Sequence, residues 1–155
     1  MKAKRKGEVL RVSVEAEESA LLAMLLDDLE TLLDSTDDSL GVFVDPALAR
    51  LYPDGYSDDS EASEEFRGLV GADLRTERSG RLQLCRSELP LGGGRIELDD
   101  DGADRWIRVL NDVRLVLGVR LEVSEDTELD PSVESNALYG WLTAVQDMLV
   151  LHLMG

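Results

Sequence analysis

The stretch "WIRVLNDVRLVLGVRL", Trp106 to Leu121, sets the architecture expected of this chain. At roughly 100° per residue, Trp106, Leu110, Val113 and Leu117 share the centre of one helical face. The polar residues fall elsewhere. Arg108 and Asp112, four residues apart on the far side, read as an ordinary exposed ion pair. Asn111 is also off the apolar centre. Arg114 differs, because it projects between the directions of Ile107 and Leu121, at the margin of the buried arc. A guanidinium placed there needs a partner. The segment is therefore read as a packed amphipathic helix with one half-buried cation, not as a reactive centre.

Immediately upstream, "GRIELDDD" (94–101) reads as a strand running into an acidic helix start. The same order occurs near the beginning of the chain. In "EVLRVSVEA" (8–16), Leu10, Val12 and Val14 alternate with polar residues, the pattern of a strand with one buried face. The segment that follows, "EESALLAMLLDDLETLLDS", opens on acids and gathers Leu22, Leu25, Leu26, Leu29, Leu32 and Leu33 on one side. Sliding residues 94–117 back by 84 positions lays Ile96 on Val12, Trp106 on Leu22, Val113 on Leu29 and Asp112 on Asp28. Shared patterning or duplication would produce this echo, and either suggests two paired strands with their helices on one face. Arg114 falls on Glu30, of opposite charge, which makes Glu30 its expected partner.

The remaining segments are less distinct. Asp45 and Pro46 cap a short expected helix, "PALARLY". Residues 60–89 give helical spacing at Phe66, Leu69 and Val70 and again at Leu82, Cys85 and Leu89. They are read as one helix or two joined near Gly80, with a hairpin of "RLQL" and "RIEL" around "PLGGG" as the alternative. Arg67, Arg75, Arg78 and Arg81 share one side of such a helix and are expected to pair internally with Glu64, Asp73 and Glu77. The last segment, 135–155, is a helix whose stripe of Leu138, Trp141, Leu142, Val145, Met148 and Leu149 faces a core. Beyond it, Val150, Leu151, Leu153 and Met154 surround the whole circumference. A helix end without a polar side needs covering on more than one side, which predicts a homodimer with Leu151 and Leu153 at its interface.

Composition narrows the function. The 155 residues suit one domain, taken as 8–155 after a basic tail at 1–7. With 33 acids against 16 bases the net charge is −17, a field that repels phosphate backbones, so direct nucleic-acid binding is not expected. No segment approaches the ~20 apolar residues of a membrane span, and no signal sequence is read at the start. The single Cys85 forms no internal disulfide and fits a reducing compartment, so a cytoplasmic location is expected. Cys85 is the one redox candidate, with a buried inert thiol as its plainer reading. "DDD" at 99–101 is read as a cap rather than a cation site. His152 has no second histidine or cysteine cluster to complete a zinc site, and the glycines of "LGGGRIEL" lack dinucleotide-loop spacing. No catalytic residue, metal or cofactor is assigned.

"GGGRIELDDDGADRWIRVLNDVRLVLGVRLEV", with "EDTE", "LYGWLTAVQDMLV", "DPALARLYPDGY" and "EEFR", resembles the actinobacterial oxidative-stress regulator family of the AosR type. The resemblance is most specific in "LNDVRLVLG" and "LYGWLT" and extends over nearly the whole chain. It implies a mainly helical cytoplasmic homodimer that acts by contacting the transcription machinery, notably a stress sigma factor or RNA polymerase, with thiol oxidation as the trigger. This chain departs from that pattern in having one cysteine, where an internal disulfide needs two. The expectation is thus an α+β, predominantly α fold, with helices packed on a two-stranded sheet. The expected function is non-enzymatic regulation by protein–protein contact. An adaptor in regulated proteolysis and a metal-dependent hydrolase using the acidic clusters are the alternatives. Arg114, Glu30, Asn111, Trp141, Leu151 and Leu153 are the residues expected to shape structure or interaction.

Overall fold

The computed structural model describes residues 1–34, 76–120 and 134–154, with no side-chain description for 120 and 134–136. The expected helix at 46–52 and the positions Arg67 and Arg75 lie outside the described residues, as does "EDTE". Within them the chain is α+β and predominantly α. Strands β1 (Lys2–Lys6) and β2 (Val9–Val14) precede helix α1 (Ala16–Asp34). Helix α2 covers residues 76–88. Strand β3 (Gly94–Leu98), helix α3 (Asp100–Arg120) and helix α4 (Glu134–Met154) complete the order.

The sheet is antiparallel in the order β1-β2-β3, one strand more than expected. The extra strand is formed by the basic segment read as a tail. Its lysines alternate with Ala3 and Arg5, so only one small residue reaches the core side and burial leaves no pattern to read. Pairing and polar anchors hold it instead. Lys4 lies opposite Arg11 and Ala3 opposite Val12, while Arg5 reaches Asp100 at 3.0 Å and the His152 carbonyl at 3.4 Å. Lysines along an edge strand also discourage pairing with a foreign strand.

The 84-residue echo is present in three dimensions. Val12 lies directly opposite Ile96, with Leu10 opposite Leu98 and Val14 opposite Gly94. An antiparallel pair in which equivalent residues face each other has a local twofold axis through that pair. The helix starts obey the same relation. Ser19 N donates to Glu15 O at 2.9 Å, and Ala103 N donates to Asp99 O at 2.9 Å. The caps are complementary halves of one device: Glu15 N donates to the Glu18 carboxylate, and Gly102 N donates to Asp99 Oδ1 at 2.7 Å. The tripled acid at 99–101 thus opens a helix, as its pattern suggested.

The inner face of the sheet (Leu10, Val12, Val14, Ile96, Leu98) meets the leucine stripe of α1 and the Trp106 stripe of α3 in one continuous core. Helix α2 runs unbroken through Gly80, so "RLQL" is helical and no hairpin joins it to β3. The glycines before β3 form the turn instead. Gly93 sits at φ +93°, and a Cβ there would lie 2.8 Å from the Ala16 backbone nitrogen. That close approach, together with the Ser19 hydroxyl donating to the Pro90 carbonyl at 2.6 Å, locks the turn onto the start of α1.

A second offset links the outer helices. Leu82 and Cys85 of α2 and Leu89 just past its end are buried, and so are Leu142, Val145 and Leu149 of α4, each 60 positions later. The described fold therefore consists of two strand–helix–helix halves, β2-α1-α2 and β3-α3-α4, with β1 added at one edge.

Candidate functional site

The outer helices are tied to the inner ones by polar clamps at matching places. On α1, Asp27 and Glu30 both receive Arg86 of α2, Asp27 at 2.6 Å. On α3 the equivalent positions are Asn111 and Arg114, and both meet Gln146 of α4. The Arg114 guanidinium donates to Gln146 Oε1, and Gln146 Nε2 reaches the Ile107 carbonyl at 3.4 Å and Asn111 Oδ1 at 3.5 Å. Tyr139 adds a ring 5.7 Å from the Arg114 guanidinium carbon.

Arg114 is half-buried and paired, as its position on the arc required, but Glu30 is not its partner. The pseudo-twofold axis sets Glu30 and Arg114 at equivalent sites that face different outer helices. Each is satisfied from its own side. Gln146 carried no signal in the sequence beyond its place next to the apolar Val145. The 60-residue offset would have found it, because it sets Gln146 against Arg86.

Asp112 also departs from expectation. It is 5% exposed, and Arg108 pairs with Asp104 at 2.8 Å instead. The side of α3 opposite the Trp106 face is covered by α2, whose Arg78 Nε lies 3.5 Å from Asp112 Oδ2. Burial pushes the Asp112 carboxyl above its ordinary value, opposed by the positive charges of Arg78 and Arg81. Arg78 therefore pairs internally, though with an acid of another helix rather than one of its own.

Cys85 is fully buried beneath α2. Burial, with the nearby Glu88 carboxylate, pushes its thiol up to about 12 against the partial relief of Arg105. Arg105 is held by Glu88 at 3.0 Å. A thiol in this setting is a small packed hydrophobe rather than a nucleophile.

Trp141 is half-buried on α4, and its indole helps fix Glu18. Burial pushes the Glu18 carboxyl up. The amino terminus of Met1, the Glu15 backbone N–H and Trp141 outweigh it and bring the group below its ordinary value. At the end of α4, Leu151 is 71% exposed and Met154 81%, while Leu153 packs against the core. Of the pair expected at an interface, only Leu151 is presented outward. Among the described residues no three His, Cys, Asp or Glu side chains gather as a metal-binding group, and no helix is long and apolar enough to cross a membrane.

Comparison with known proteins adds relatives to this geometry. The chain is 34% identical to "Oxidative stress regulator AosR" of Mycobacterium tuberculosis (strain ATCC 25618 / H37Rv), across 97% of its own length and 85% of the relative's. The same identity and coverage hold for the protein of that name in Mycobacterium bovis (strain ATCC BAA-935 / AF2122/97). No solved structure matches. The family model described as "Domain of unknown function (DUF2017)" matches residues 1–153, and the chain belongs to that family.

Proposed function

We propose that this chain regulates an oxidative-stress response, and that it does so without catalysis, by contact with other proteins. The observation that carries the reading is its likeness, over nearly its whole length, to mycobacterial proteins named oxidative stress regulators. A stress sigma factor or RNA polymerase is the partner class, following the family resemblance in "LNDVRLVLG" and "LYGWLT". The net charge of −17 favours a protein with a basic surface over nucleic acid. The protein works as a homodimer, with the exposed Leu151 and Met154 at the end of α4 in its interface.

The burial of Cys85 shapes the mechanism. A thiol this protected does not serve as the first target of peroxide, so the signal reaches the protein through its partner or its abundance. Affinity capture of the tagged full chain from cells grown with and without peroxide tests the proposal. A sigma factor or RNA polymerase subunit enriched over an unrelated acidic bait is the expected result. Capture that enriches neither contradicts it.

A further inference from the structure

The twofold relation between the halves makes one departure from it informative. On α3, Asp112 faces Arg78 at 3.5 Å and feels the charge of Arg81. The equivalent acid on α1 is Asp28, 84 positions earlier. The residues of α4 equivalent to Arg78 and Arg81, 60 positions later, are Leu138 and Trp141. The cations are thus replaced by apolar side chains. Asp28 has no ion pair or hydrogen bond among the described residues.

A cavity of about 170 Å³ lies at this place, lined by both Asp28 and Leu138. It is far larger than the ~10–15 Å³ that admits a single water. Its walls include Leu25, Leu29, Val113 and Val116, so its lining is apolar apart from the one carboxylate. In the other half of the molecule, an arginine side chain reaches the equivalent acid.

We propose that this pocket receives an arginine side chain from a protein partner, its guanidinium meeting Asp28 and its aliphatic stem lying on the leucine and valine walls. Arginine suits the site better than lysine, because its planar head is more weakly hydrated and tolerates apolar neighbours. The charge of −17 on the chain draws such a group in. The identification of the source as a protein rests on the protein-contact reading above; the chemistry of the pocket does not.

The probe is N-acetyl-arginine-N-methylamide, titrated into the full-length protein at tens of millimolar while methyl resonances are followed by NMR. The citrulline analogue, equal in shape but neutral, is the control. Saturable shifts centred on Leu25, Leu29, Val113 and Val116 are expected, with binding roughly fivefold weaker for citrulline and for the Asp28→Asn protein. Leu138→Arg, which restores the missing cation in the same chain, should abolish probe binding. Asp28 is exposed, so Asp28→Asn remains informative if Leu138→Arg fails to fold. Equal binding of the two probes, shifts spread over other surfaces, or no saturable shift would overturn the proposal. Arginine binding by a chain whose loss leaves the peroxide response unchanged would keep the pocket and discard the regulatory reading.

Discussion

Cys85 offers the sharpest quantitative test of how this protein meets oxidants. Its thiol is pushed from 9.0 up to about 12. At neutral pH the thiolate fraction falls tenfold for each unit of that rise, so it is about a thousandth of an ordinary cysteine's. The thiolate is the form that attacks peroxide and alkylating reagents, and complete burial removes access as well. Iodoacetamide labelling should therefore run about a thousandfold slower in the native protein than in urea, counted by mass spectrometry of the intact chain. Cys85→Ser should leave any regulatory output intact, with a modest loss of stability from the polar hydroxyl in the core. Native labelling within about tenfold of the unfolded rate would refute the reasoning, because it would place the thiol in a reactive setting.

The other expectations concern the clamps and the surface. Gln146→Leu strands the half-buried Arg114 and should cost about 1–2 kcal/mol in urea unfolding, less than a fully buried charge because Tyr139 and solvent remain. Adding Arg114→Leu should recover part of that loss; full additivity would show that the two side chains do not interact. Asp112 has a raised carboxyl, so the folded state holds its proton more tightly than the unfolded one. The stability of the wild type relative to Asp112→Asn should therefore fall as pH rises from 3.8 through the raised value, then level off. A difference that grows with pH would show that Arg78 and Arg81 outweigh burial. Leu151→Asp combined with Met154→Asp should shift the sedimenting mass towards monomer with helical circular dichroism retained, whereas an unchanged mass would remove this surface from the interface.

What was legible in the sequence had one common origin, the pairing of a period with a cap. The alternation at Leu10, Val12 and Val14 and the stripe through Trp106 each specify an element and its inward face, and both lie where expected. The 84-residue echo went further, because equal offsets at strand and helix imply equal placement about an axis. What stayed illegible depends on a second neighbour. A helical wheel of α3 shows one apolar face and leaves the other side to be read as solvent. In the structure α2 covers that side, so Asp112 is buried with a cation. The partner of Arg114 was missed for the same reason, since Gln146 belongs to a helix whose approach no local pattern in α3 records. Strand β1 was hidden because its lysines offer no buried alternation, and only backbone pairing with β2 makes it a strand.

The most direct measurement of the central claim is survival and transcript profile under peroxide in the organism that carries this chain. A strain lacking it would be compared with strains complemented by the wild type and by Cys85→Ser. The account predicts that loss of the chain alters the peroxide response and that both forms restore it, the second because the buried thiol is not the sensor. A response unchanged by loss of the chain would contradict the regulatory role, and failure of Cys85→Ser alone, with the protein folded and abundant, would contradict the placement of the sensor outside it.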